Sequence, residues 1–168
     1  GHPNCIFKIN FEDLKKITEP FKKIPALSKG KIAEDIATVE FTKRGFDIFL
    51  PYTPQHQTDL IVVRGNKIAK LQVKSSVWDE KYNRFRVPLL RKHSISHTRK
   101  FYDPNDVDFF VFVCLGIDMT YIVPYELCHT KAEAHLYPHR TKAIVKNVFD
   151  WEEYSNRFDL ISEFLEKE

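Results

Sequence analysis

Gly65 and Asn66 stand between two runs rich in Val, Ile and Leu, one from Leu60 to Arg64 and one from Lys67 to Val73. A two-residue Gly-Asn loop closes a β-hairpin, because its residues tolerate the positive φ of a tight turn. Such a loop also fixes the register: Arg64 faces Lys67, and each step back along one strand is a step forward on the other. Asp59 then falls opposite Gln72, with Cβ atoms about 5 Å apart. Lys74 shares that face one pleat further on, about 7 Å from Gln72. A strand running into a core has no use for an amide and a cation on one side. Here a carboxylate, an amide oxygen and an ammonium converge at its end.

The elements around this hairpin follow from pattern and punctuation. The stretch "INFEDLKKITEPFKKIP" (Ile9 to Pro25) reads as an amphipathic helix capped by Asn10, with Leu14 and Ile17 on one face and Pro20 ending it. Ser28 caps a second helix, which stops at Gly45. Strands are expected at "FDIFLP", "DLIVVR", "KIAKLQVKS", "RFRVPL", "DFFVFVCL" and "TYIVP", with a turn at Gly116-Ile117-Asp118. Residues Arg91 to Asp106 read as a polar, basic loop or short helix, "YELCHTKAEAHLYPHR" is ambiguous, and "DWEEYSNRFDLISEFLEKE" reads as a closing helix. The order predicts an α/β domain with a mixed central β-sheet flanked by helices. With 168 residues, one domain spans the chain (1–168), with a helical extension at about 1–27 and a C-terminal helix at about 150–168.

Composition narrows the setting. The longest apolar run, "FFVFVCLGI", is too short to span a bilayer, so no membrane association is expected. The start has no basic-then-apolar signal pattern, and Gly1-His2 reads as a cloning remnant. Cys5, Cys114 and Cys128 show no CxxC spacing, which favours free thiols in a reducing compartment. From Asp150 onward seven acids face two bases, so the net charge of +3 leaves +8 on the first 149 residues. A basic body favours an anionic partner.

A further carboxylate is expected from the second helix, whose apolar stripe is Ile32, Ala33, Ile36, Ala37 and Val39, with Phe41 at a border. Glu34 sits at that border, where it can reach the sheet edge. Glu40 falls nearer the middle of the stripe, so it either pairs with a base or faces the site itself; Glu34 is favoured. Clustered oxygen ligands suit a hard cation such as Mg²⁺, and a nearby lysine can help activate an attacking water or neutralise charge on a phosphate. The bland alternative is an ordinary ion pair between Asp59 and Lys74.

"KGKIAE", then "GFDIFLP", "TDLIVV" and "KLQVKSS" resemble the PD-(D/E)XK nuclease superfamily, and more closely the small homing endonucleases encoded within group I introns of bacteria. The resemblance covers roughly Lys29 to Leu127, including "FYDPNDVDFFVFVCLGIDMTYIVPYEL" as closing strands. It implies a restriction-endonuclease-like core with Glu34, Asp59, Gln72 and Lys74 catalytic. It also implies that Asp59, Gln72, the Val73 carbonyl and Glu34 ligate Mg²⁺ or Mn²⁺. Glutamine at the position of Gln72 fits the intron-encoded branch, and Thr58 stands where the motif has proline. A neutral amide binds a cation less strongly than a carboxylate, so metal binding should be coupled to DNA binding. The implied activity is sequence-specific cleavage of double-stranded DNA with a long target site. It implies a homo-oligomer, tetramer before dimer, in the bacterial cytoplasm and on the nucleoid when bound. A Holliday-junction resolvase and a non-catalytic DNA-binding protein are the alternatives.

Between Arg84 and Tyr102 lie six bases and no acid. Arg84 and Arg86 share one strand face and could read base edges in a major groove, while Arg91, Lys92, His93, Arg99 and Lys100 would hold phosphates. "HLYPHRTKAIVK" is a lesser basic candidate. Cys128, His129, His135 and His139 lack a standard zinc spacing. Asp106 and Asp108 suit a capping or salt-bridge role, and Ser75, Ser76 and His93 form no nucleophile motif.

Overall fold

The Asn10 side chain accepts the Asp13 N–H at 2.9 Å and so caps the first helix, α1 (Phe11–Lys22). The structure is a computed structural model that describes residues 10–53, 56–92, 99–139 and 149–167. Pro20 lies inside α1 instead of ending it. Its missing N–H costs one bond close to the helix end, and Phe21 beyond it packs on the core. Leu14 and Thr18 form the buried face, with the Thr18 hydroxyl donating to the Leu14 carbonyl at 2.7 Å. Ile17, expected on that face, is half-exposed.

The second helix, α2 (Ala26–Lys43), begins directly after Pro25, and Ser28 makes no cap. Its end is a Schellman motif. Gly45 adopts φ +83°, its N–H reaches the Thr42 carbonyl, and the Phe46 N–H reaches the Phe41 carbonyl. Phe46 and Phe41 meet edge to face at 5.7 Å, which supplies the apolar contact of that motif. The buried stripe is Ala33, Ala37 and Phe41, at i, i+4, i+8, flanked by Ile32 and Ile36. Val39, expected in the stripe, is 56% exposed because it lies on the far side of the helix from Ala37.

Nine strands follow among the described residues: β1 (Asp47–Phe49), β2 (Leu60–Arg64), β3 (Lys67–Asp79), β4 (Arg84–Pro88), β5 (Arg91–Lys92), β6 (Arg99–Lys100), β7 (Phe109–Cys114), β8 (Met119–Pro124) and β9 (Glu133–Leu136). β1, β2 and β3 form an antiparallel meander, and the hairpin register runs from Arg64↔Lys67 to Leu60↔Leu71 as the Gly-Asn loop dictates. β3 also pairs with β7 in parallel and with β4 antiparallel, so the sheet is mixed. β8 and β9 extend it. The ambiguous stretch becomes a short helix, α3 (Tyr125–Cys128), followed by β9, which binds the otherwise open edge of β4. The segment expected as a loop or short helix instead pairs β5 with β6 as a separate two-stranded ribbon.

The expected closing helix is broken in two, a 3₁₀ turn (Trp151–Tyr154) and α4 (Asp159–Glu166). Asn156 adopts φ +52°, donates its N–H to the Thr120 carbonyl at 2.6 Å and accepts the Thr120 N–H through its side chain at 3.3 Å. A left-handed residue cannot continue a helix, and asparagine tolerates that conformation.

The central sheet separates two cores. On one face α2 and α4 cover Leu71, Val73, Val111 and Val113; on the other, Leu14 of α1 and Trp151 join Trp78, Phe110 and Phe112. Cys114 and Cys128 are buried free thiols, and Cys5 lies outside the described residues. Among the described residues no helix is long and apolar enough to cross a membrane.

Candidate active site

β3 changes the face it buries halfway along. Ala69, Leu71 and Val73 are buried toward α2 and α4, whereas Ser76 and Trp78 are buried on the opposite side. Where the phases overlap, strand pairing also changes. β2 leaves β3 at Leu71 and β4 joins it at Val77, so residues 72–76 pair with β7 alone. The other edge of this stretch has no strand among the described residues. Its polar groups must find partners elsewhere.

Asp59 supplies one. Its N–H donates to the Leu71 carbonyl at 2.8 Å, and its Oδ2 accepts the Val73 N–H at 2.8 Å. The carboxylate thus takes the place of a missing strand, one step past the hairpin's last pair. Glu34 reaches the same edge from α2 and shares a hydrogen bond with Asp59. The open edge lets a helix on one face of the sheet meet side chains from the other. Glu40 does not take part, because it pairs with Arg44 at 2.8 Å and Lys43 at 3.3 Å.

Burial pushes the Asp59 carboxyl up to about 7, reinforced by the Glu34 charge and opposed by the Val73 N–H and Lys74. Burial also raises Glu34. Two carboxyl groups this close do not both ionise cheaply, and burial adds to that cost, so both are pushed toward their neutral forms. Lys74 is pulled down to about 8 by burial, against the attraction of Asp59. Its Nζ donates to the Tyr102 hydroxyl at 2.6 Å and sits 4.6 Å from that ring's centroid.

Gln72 is 8% exposed, and its Oε1 is buried with no hydrogen-bond partner. A buried carbonyl oxygen left unpaired is costly. A buried amide oxygen on the strand that Asp59 and Glu34 meet makes, with their carboxyl groups, a hard-oxygen donor set of the kind that suits Mg²⁺ or Mn²⁺. The set holds only two acidic groups, and among the described residues no three His, Cys, Asp or Glu gather for a metal. Cys128, His129, His135 and His139 are dispersed: Cys128 is buried, His129 stacks on Tyr125, His135 lies by Glu133, and His139 packs on Phe11 and Trp78.

The expected DNA-contacting residues fall into two groups. Arg84 and Arg86 share a face of β4, but register places that face with Val77 and Asp79, opposite Gln72 and Lys74. Both have partners within the chain. Arg86 grips Glu133 through two nitrogens at 2.7 Å each, and Arg84 lies 3.2 Å from the His135 ring and 3.9 Å from Asp79. The ribbon pairs Arg91 with Lys100 and Lys92 with Arg99. His93 and most of the second basic cluster lie outside the described residues.

Other polar residues are stitches. Asp108 Oδ2 accepts the Lys70 N–H at 2.8 Å, joining β7 to β3, and the Ser76 hydroxyl donates to the Arg86 carbonyl at 2.7 Å. Thr58, in the nominal proline position, is buried and donates to the Asp106 carbonyl at 2.6 Å. Two residues escaped sequence reasoning. Tyr102, which meets Lys74, stands 28 residues along the chain, and no local spacing links them. Glu133, the partner of Arg86, sits in the stretch that read ambiguously.

The chain and its fold have counterparts among known proteins. The profile of a family described as PD-(D/E)XK endonuclease matches residues 26–161, a range holding Glu34, Asp59, Gln72 and Lys74. The solved structure of a bacterial homing endonuclease, I-Ssp6803I, aligns with a TM-score of 0.72 and 24% identity, over 83% of this chain and 95% of that one. At that identity the likeness concerns the fold, a helix-flanked mixed sheet. No curated protein sequence matches. The profile runs from the first residue of α2 into α4 and so takes in the whole sheet. A match over most of the sequence, on a fold shared with a known endonuclease, places this chain in the PD-(D/E)XK endonuclease family, as a nuclease.

Proposed function

We propose that the protein is a sequence-specific, double-strand DNA endonuclease of the homing type, dependent on Mg²⁺ or Mn²⁺. The observation that supports this reading is that Glu34 and Lys74 both act on Asp59 at the open edge of β3, the strand on which Gln72 Oε1 is buried without a partner. Asp59, Gln72 and Glu34 would hold the cation, with the Val73 carbonyl as a further donor. Bound there, a divalent ion supplies Lewis-acid stabilisation of the charge that builds on the scissile phosphate. To hold the ion, Asp59 would have to be ionised against the burial that favours its neutral form. Lys74, lowered by burial to about 8, would orient the attacking water and compensate phosphate charge. Because Gln72 is neutral, this donor set would hold the ion weakly by itself, so metal and DNA binding would reinforce each other.

DNA would lie across the β5–β6 ribbon, whose four residues are all basic, and His93 is a further candidate contact. Opposing like charges in a ribbon are unfavourable alone and are relieved by phosphates. Arg84 and Arg86 read bases by exchanging their present partners for DNA. Cutting both strands needs two sites, so the active species is a homo-oligomer, a tetramer in keeping with the homing-endonuclease resemblance, working on the bacterial nucleoid.

The test is incubation with a random-site duplex library in Mg²⁺, beside Lys74→Ala and an EDTA control. We expect discrete cuts at one enriched sequence, lost with EDTA and slowed at least ~100-fold in Lys74→Ala, with duplex binding retained. Binding without cuts, unchanged by Lys74→Ala, would leave a non-catalytic DNA-binding protein. Cleavage of four-way junctions in preference to linear duplex would make it a resolvase.

A further inference from the structure

Lys74 reaches the site from β3, yet its ammonium is held by a residue from another part of the chain. The Tyr102 hydroxyl accepts from Nζ at 2.6 Å, with the ring 4.6 Å away. Tyr102 is itself 8% exposed and firmly seated. Its carbonyl accepts from the Tyr125 hydroxyl at 2.6 Å, and its ring packs edge-on against Phe110, the register partner of Gln72.

The residues after Tyr102 are tied to the Asp59 side of the site. The Asp103 N–H donates to Gln57 Oε1 at 3.2 Å, and the Asp106 carbonyl accepts from the Thr58 hydroxyl at 2.6 Å, one residue before Asp59. Lys70 Nζ donates to the Asn105 carbonyl at 2.8 Å. This segment therefore touches the lysine arm, the aspartate arm and the base of β3. It begins two residues after Lys100, where the basic ribbon ends.

We infer that Tyr102 is a positioning residue for Lys74, and that the Tyr102–Asp106 segment couples the basic ribbon to the active site. The inference rests on the nuclease reading above. An ammonium has three donors. Tyr102 occupies one and restricts the rotation of a long, flexible stem, leaving the others for the phosphate and the water. DNA seated on the ribbon bears directly on the segment that aims Lys74.

The experiment compares wild type, Tyr102→Phe, Lys74→Ala and the double variant in single-turnover cleavage of the target duplex. Tyr102→Phe keeps the ring and its packing, so its thermal midpoint should match wild type. We expect its cleavage rate to fall about 10- to 100-fold, the range for losing a hydrogen bond to a charged group, with duplex Kd unchanged. Tyr125→Phe should fall in the same direction by less. In the Lys74→Ala background, with residual cleavage followed over hours, Tyr102→Phe should cost nothing further. A wild-type rate in Tyr102→Phe, or its full loss repeated without Lys74, overturns the inference. The Lys74 Cε–H NMR signal of the metal-free protein reads the same contact without cleavage. It should shift in Tyr102→Phe, and an unmoved signal overturns the inference even where wild type cuts no duplex and the nuclease reading has itself failed.

Discussion

Asp59 occupies a position that a backbone group would ordinarily fill, and its chemistry follows from that substitution. Its Oδ2 takes the Val73 N–H, its neighbour is the Glu34 carboxyl, and burial lifts it to about 7. The ordinary aspartate value is about 3.9, so the folded protein binds a proton that the unfolded chain has shed. A raised carboxyl favours the fold fully below the unfolded value and loses that contribution as pH climbs through about 7. The metal-free protein should therefore lose stability between about pH 4 and pH 8. Asp59→Asn keeps the acceptor for Val73 and removes the ionisation. It should be more stable than wild type at pH 8 by on the order of 2 kcal/mol, and equal to it at pH 4, in urea melts without metal. A wild-type profile in Asp59→Asn would mean that the carboxyl is ionised without cost.

At the scale of elements, departures from the sequence-based reading come from packing that local rules do not contain. Pro20 is tolerated because only the last turn of α1 follows it, and Phe21 there is held by the core. β9 forms because β4 offers it an edge, although its own residues show no strong strand pattern. The contact between α1 and the β7–β8 turn is tight enough to test. Gly116 has φ +98°, and a Cβ there would lie 3.2 Å from the Ile17 carbonyl oxygen and from Thr18. The conformation strains any L side chain, and the nearest atoms, mostly backbone, would have to give by a few tenths of an ångström. Gly116→Ala should cost about 2 kcal/mol. That loss should appear as a lower midpoint in thermal melts, whereas a midpoint equal to wild type would show that α1 yields freely.

Across the whole molecule, charge is separated by sequence position and then partly recombined by the fold. The first 149 residues carry +8, yet Arg86, expected to face outward to DNA, is closed onto Glu133. That carboxylate stands where a phosphate or a base edge would dock, so it withholds one cation from indiscriminate binding. Glu133→Gln should tighten binding to duplex that lacks the target and steepen the dependence of log Kd on log salt by about one. Titrations at several salt concentrations measure this, and an unchanged slope would leave Glu133 a purely structural partner. Much of the architecture was legible beforehand for an identifiable reason. The Gly-Asn loop permits one register, alternation permits one facing, and together they bring Asp59, Gln72 and Lys74 to one strand end. Asn10 and Gly45 likewise mark helix ends by backbone chemistry that acts over a few residues, whereas Ser28 does not cap. Glu34 was reachable from the helical period, because a border position is set by the wheel alone. That Glu40 plays no part there depended on Arg44 and Lys43 claiming it. The seating of Lys74 on Tyr102, the clasp of Arg86 by Glu133 and the open edge at residues 72–76 join segments far apart in the chain. Nothing in local propensity or spacing encodes such contacts. Only the packing of complete elements against one another brings these groups within hydrogen-bond distance, so they were settled by the tertiary structure.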